Sequence, residues 1–158
     1  MAQDTTENAE LTAGHVSHTH DAKAAGLPGQ CDRPIKVTMM GAGRYLKAQN
    51  PEITLVGVQP AESFHGIEGL KHLPTAIVPS IYDESVPDVQ IGVDTEDAYT
   101  FGRELALVEG LFPGTSTGAA VAGAVRVARE MIEQDETGVI VALAPDGGGK
   151  YLSTELWS

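Results

Sequence analysis

Gly110-Leu111-Phe112-Pro113-Gly114-Thr115-Ser116-Thr117-Gly118-Ala119-Ala120-Val121-Ala122-Gly123 is the stretch on which the reading of this sequence turns. Proline and glycines on either side of three consecutive hydroxyl residues allow a sharp turn and a close approach of backbone to a ligand. The small apolar residues that follow predict a helix from Ser116 to about Glu133, with charges confined to Arg126, Arg129, Glu130 and Glu133, so most of its surface is expected to be buried. Hydroxyls at the N-terminus of such a helix can bind an anion or hold a polar ring atom. An ordinary N-cap uses the same residue types, and the turn alone does not separate the two readings.

Outward from this turn the chain alternates between the two periodicities. Thr137-Gly138 leads into Val139 to Ala144, an apolar run predicted as a central parallel strand covered on both faces. Pro145-Asp146-Gly147-Gly148-Gly149 follows, in the position past a strand end where open α/β sheets gather ligands. Tyr151 to Trp157 reads as a docking tail. Upstream, Asp94 or Thr95 caps a helix whose Ala98, Phe101, Leu105 and Val108 share one face and which Gly110 ends. Val89 to Val93 and Ile53 to Val58 are short strands, and Gly41 to Asn50 holds helix formers that stop at Pro51. Residues 61 to 88, with five prolines and glycines, form a long irregular connection of the kind that often carries function. Helices alternating with short strands predict an α/β sheet.

The 158 residues amount to one domain, and 42% hydrophobic content indicates a globular chain. No apolar run approaches the roughly 18 residues of a membrane span, and no signal-peptide pattern opens the sequence, so a cytoplasmic setting is expected. A single cysteine, Cys31, agrees with a reducing compartment. Ten basic against twenty-two acidic residues give a net charge of −12, which argues against nucleic acid or an anionic membrane as partner. The first 33 or so residues lack apolar periodicity and read as an arm. His15, His18 and His20 lie close enough in it to meet a metal, but without a scaffold to fix them the expectation is no metal site.

Six segments, in order, carry a resemblance to a known family: Gly43-Arg44-Tyr45-Leu46-Lys47, Asn50-Pro51-Glu52-Ile53, Val56-Gly57-Val58-Gln59-Pro60, Gly66-Ile67-Glu68-Gly69-Leu70, Gly114 to Ala120, and Lys150-Tyr151-Leu152-Ser153-Thr154. Residues 38–158 thereby resemble the C-terminal part of cysteine synthases (O-acetylserine sulfhydrylases) and their cystathionine β-synthase relatives. That resemblance implies part of a three-layer, tryptophan-synthase-β-like fold with a parallel sheet, fold type II among pyridoxal-phosphate enzymes. It implies a cofactor-binding set of Ser116, Thr38, Gly114 and Asp146, with Ser116 on the pyridine nitrogen of the cofactor. A neutral hydroxyl there leaves the ring nitrogen unprotonated and restrains the electron sink, which suits β-replacement. Gly66, Ile67 and Gly69 fall on the loop that approaches the substrate side.

The family's cofactor lysine stands in a Ser-x-Lys-Asp-Arg-Pro motif. The nearest similarity here is Pro28 to Pro34, with Cys31 at the lysine position, and a thiol cannot make the covalent link to the cofactor aldehyde. Of the phosphate-binding turn only Thr38 matches; Pro34, Ile35 and Val37 replace its glycines, which weakens phosphate affinity. Lys36 is the lysine nearest that turn. The expectation is therefore a 1–37 arm, disordered or foreign to the family, followed by a 38–158 family domain with no catalytic residue of its own. Its implied activity is β-replacement on O-acetylserine or O-phosphoserine with sulfide. The alternative is a non-catalytic fragment or a regulatory partner of an intact homologue. Either way, apolar helix surface left uncovered predicts a homo-oligomer or a complex with a full-length homologue.

Overall fold

The computed structural model describes residues 9–14 and 38–158. Four strands, β1 (Ala9–Gly14), β2 (Thr54–Pro60), β3 (Val89–Val93) and β4 (Gly138–Ala142), form one sheet in the order β3-β2-β1-β4 with every pairing parallel. Among the described residues three α-helices accompany it: α1 (Arg44–Gln49), entered through a π-helical turn at Met39–Gly43, α2 (Thr95–Val108) and α3 (Thr115–Glu133).

The strands β2 and β3 and all three helices lie where the sequence predicts them, within a residue or two at most ends. Alternation along β2 explains why both its faces are covered. Val56 and Val58 meet Ile91, Val93, Ala119, Ala122, Val127 and Met131 on the α3 side, while Ile53 and Leu55 meet Met39 and Met40 on the other. Asp88 fixes the start of β2, its carboxylate accepting the Leu55 amide at 2.7 Å and pairing with Lys47 at 2.8 Å. Burial alone would raise the Asp88 carboxyl; these two donors outweigh it and hold the group below its ordinary value.

Three expectations need correction. The reading of residues 1–37 as an arm does not describe Ala9–Gly14, which pairs with β2 on one side and β4 on the other. Without it the edges of β2 and β4 would face each other unpaired; the segment has no β-branched apolar run by which to recognise a strand. His15, His18, His20, Cys31 and Lys36 lie outside the described residues. Secondly, β4 is an edge strand, not a central one: Val139 and Val141 are 54% and 47% exposed, and only Ile140 packs toward α3. Thirdly, the inner face of α2 is Ala98, Tyr99 and Gly102 with Phe101 beside them, while Val108 points to solvent. Small residues replace larger ones there because α3 crosses at backbone distance. A Cβ added at Gly118 would fall on the Ala98 carbonyl oxygen and lie 3.0 Å from the Gly102 nitrogen.

Gly110 ends α2 as its sequence position predicts, with φ +68° and the Leu111 amide returning to the Leu105 carbonyl at 3.1 Å. The C-terminal segment docks on the same helix. Leu156 is fully buried with Tyr99 and Tyr151, and Arg103 donates to the carbonyls of Leu156 (2.7 Å), Glu155 (2.6 Å) and Ser158 (3.2 Å). Among the described residues no helix is long and apolar enough to cross a membrane.

Candidate functional site

The hydroxyl turn opens α3 from an extended Gly114 (φ −78°, ψ 168°), and Thr115, Ser116 and Thr117 are 0%, 3% and 4% exposed. None of the three caps the helix. The Thr117 amide returns to the Gly114 carbonyl at 3.0 Å, and no side chain among the described residues caps the helix start. The ordinary N-cap reading is thereby removed, and these buried hydroxyls face other tasks. Thr115 Oγ1 donates to the Glu68 carbonyl at 3.2 Å, tying the turn to the 66–70 loop; Thr117 Oγ1 is buried with no hydrogen-bond partner among the described residues.

The 66–70 loop is fixed from below. The Gly66 amide donates to Thr95 Oγ1 at 3.0 Å, Tyr99 donates its phenol proton to the Gly66 carbonyl at 3.0 Å, and the Leu70 amide reaches the Ile67 carbonyl at 3.3 Å. Glycine at 66 has a steric reason, since a Cβ would lie 2.5 Å from the Tyr99 hydroxyl. Gly69 adopts φ +85°, a backbone region that side chains disfavour. Ile67 is fully buried, so it anchors the loop in the core instead of facing a ligand.

The loop after β4 completes the arrangement from the opposite side. The Asp146 carbonyl accepts the Gly114 amide at 3.1 Å, Pro113 and Gly147 form an antiparallel bridge, and the Gly148 amide donates to the Phe112 carbonyl at 2.8 Å. Asp146 Oδ2 accepts the Tyr151 phenol at 2.7 Å and lies 3.8 Å from Lys150 Nζ, whereas Oδ1 is buried and unpartnered among the described residues. Only glycine fits at 114, because an added Cβ would fall on Asp146 Oδ1 and approach the Tyr151 ring to 2.6 Å. Burial, and then the hydrogen bond to Asp146, push the Tyr151 phenol well above its usual range, so it remains a proton donor through neutral and alkaline pH.

Ser116, Gly114 and Asp146 therefore lie at one turn, joined to the loop of Gly66, Ile67 and Gly69 through Thr115. Thr38 precedes the Met39–Gly43 turn, with no side-chain hydrogen bond to the other candidates among the described residues. One contributor was not singled out as a site residue in the sequence: Tyr151. Tyr151 stands inside the Lys150 to Thr154 segment, and a phenol in an otherwise apolar docking tail is the signal that could have found it. The lysines of the described region lie elsewhere or outside the buried turn: Lys47 pairs with Asp88, Lys71 is exposed, and Lys150 is 62% exposed.

The family model described as "Pyridoxal-phosphate dependent enzyme" matches residues 37–146. A cysteine synthase of Aquifex aeolicus is 54% identical over 121 residues, 77% of this chain and 37% of the relative. Cysteine synthase B of Pseudomonas aeruginosa is 38% identical over 148 residues, 94% of this chain and 44% of the relative. Among solved structures, isoform 3 of O-acetyl serine sulfhydrylase from Entamoeba histolytica superposes with a TM-score of 0.69 at 32% identity, over 76% of this chain and 37% of that one. The chain thus spans less than half the length of these relatives.

Proposed function

Because the chain belongs to the pyridoxal-phosphate dependent enzyme family, with a parallel α/β sheet of fold type II, we propose that residues 38–158 form the ring-nitrogen side of a cysteine-synthase-type site. The observation that carries this reading is the buried hydroxyl turn of Thr115, Ser116 and Thr117. Its hydroxyls do not cap their own helix, and Thr117 Oγ1 is a buried polar atom with no partner among the described residues. A buried polar group without a partner is costly, so such a turn is suited to a polar ring atom that supplies the missing hydrogen bonds. Ser116 would hold the ring nitrogen, Gly114 would let the backbone approach, and the loop of Gly66 and Gly69 would border the substrate.

Bound pyridoxal phosphate would supply the electron sink for exchanging the β-substituent of an O-acetylserine or O-phosphoserine substrate. The residues described here position that ring and exclude water from its nitrogen edge. They do not fit its aldehyde end: no lysine of residues 38–158 is buried at the turn, and a lysine needs a desolvated, oriented setting to act there. The reactive lysine accordingly comes from outside residues 38–158. The test is to incubate the chain with pyridoxal phosphate, trap with borohydride and map labelled lysines against an unfolded control. Lys47, Lys71 and Lys150 are expected to show no excess labelling; stoichiometric labelling of one of them, only in the folded sample, refutes this division of roles.

The exposed edge of β4 supports the second reading, a partner of an intact homologue. Among the described residues Val139 and Val141 present an apolar row beside unpaired strand atoms, and such an edge is a template for another chain. Self-association, or capture by a full-length cysteine synthase, is expected in size-exclusion chromatography with light scattering. A stable monomer that ignores the homologue would remove this reading. A cytoplasmic setting goes with either role.

A further inference from the structure

Arg103 directs its donors at the main chain of the C-terminal segment. From α2, Nε donates to the Leu156 carbonyl at 2.7 Å, and Nη2 donates to those of Glu155 at 2.6 Å and Ser158 at 3.2 Å. Among the described residues no side-chain carboxylate lies within ion-pair distance of it. A guanidinium is a planar fork of fixed donors, so it sets the path of a backbone in a way that a single ammonium charge does not. Tyr99 stands one turn earlier on the same face of α2, its ring centre 5.9 Å from the guanidinium carbon.

What the clasped segment touches gives the clasp its use. Leu156 is fully buried in one cluster with Tyr99 and Tyr151. Each of these phenols holds one wall of the candidate site: Tyr99 donates to the Gly66 carbonyl at 3.0 Å, and Tyr151 donates to Asp146 Oδ2 at 2.7 Å. The Asp146 carbonyl in turn accepts the Gly114 amide. We propose that Arg103 is a positioning residue for the site: by fixing Leu156 against the two tyrosines, it holds the 66–70 loop and the 145–149 loop at their spacing on either side of the hydroxyl turn. This role rests on the ring-nitrogen reading for its purpose, but its geometry belongs to the chain alone. Groups that share one packed cluster and one hydrogen-bond network do not respond independently, so loosening the clasp loosens both loops together. Removal of an ordinary surface arginine would move neither.

The test is amide hydrogen exchange of the full chain, read residue by residue by NMR, beside Arg103→Met and Arg103→Lys. The first variant keeps an apolar stem without donors, and the second keeps the charge without the fork. Arg103→Met should speed exchange at the Gly66 and Gly114 amides together by about tenfold or more, while the Val56 and Val58 amides change by less than about twofold. Arg103→Lys should recover only a minor part of the protection. Loops that exchange as in the unmodified chain, or a lysine that restores them fully, overturn the proposal. Sheet amides that accelerate as much as the loops overturn it too, because Arg103 then stabilises the fold without positioning the site. Pyridoxine 5′-phosphate, which has the ring without the aldehyde and needs no lysine, supplies a second arm by titration calorimetry. It should bind Arg103→Met about tenfold more weakly than the unmodified chain, and equal affinity overturns the part of the clasp in the site. If the unmodified, folded chain does not bind the probe while both loops respond as expected, the ring-nitrogen reading fails and the clasp stands.

Discussion

Gly118→Val is expected to lower stability by about 4 kcal/mol or more, enough to prevent cooperative folding of a marginal domain. The reason is geometric. Even the first carbon of any side chain at 118 would occupy the position of the Ala98 carbonyl oxygen and crowd the Gly102 amide. Those are backbone atoms of α2, so no rotamer change relieves the overlap; the two helices must move apart. Separation would draw Ala119 and Ala122 away from Val56, Val58 and Ala98, and would carry the hydroxyl turn away from the 66–70 loop. Urea denaturation followed by far-ultraviolet circular dichroism is the check. A midpoint within error of the unmodified chain would show that α2 and α3 do not cross as described.

Leu156→Ala is expected to cost about 2 to 5 kcal/mol. The side chain is fully buried between Tyr99 and Tyr151, and its terminal methyl lies 3.1 Å from where a Cβ at Gly102 would stand. Truncation leaves a cavity that Gly102 cannot fill. The loss should appear first as local release of the tail, with faster amide exchange at Thr154 and Trp157, whose amides bond back to Tyr151 and Thr154 at 3.0 and 3.3 Å. Exchange at the Val56 and Val58 amides should change less. Equal acceleration at both places would mean that the tail and the sheet open as one unit.

These two sites mark where the sequence was readable and where it was not. The helix after Gly114, the strand Val89–Val93 and the stop at Gly110 follow from periodicity and turn chemistry that act locally. Docking of the tail was legible too, because Tyr151, Leu156 and Trp157 supply apolar groups in a segment too short to bury them by itself. The position of β4 was not. A continuous apolar run reads alike for a central strand and for an edge strand, and only the pairing of Ala9–Gly14 decides between them. The apolar face assigned to α2 holds at Ala98 and Phe101 but not at Val108, and it misses Gly102 because close approach of α3 selects small residues, whose burial hydrophobic periodicity underweights.

In the candidate site, Ser116 and Gly114 were legible from the family segments and Asp146 from its place after a strand. Their joining was not, because it runs through main-chain atoms: the carbonyls of Glu68, Asp146 and Phe112 hold the turn. A carbonyl has no letter in the sequence.

The stacking of Phe112 on Trp157, with ring centroids 4.5 Å apart, gives the molecule an optical gauge of its own. Trp157 is the sole tryptophan in the sequence, so all indole emission comes from one place. Phe112 stands two residues before Gly114, and its carbonyl holds the loop that bears Asp146. The colour and intensity of that emission therefore register whether the C-terminal segment is seated against the hydroxyl turn, without any attached dye.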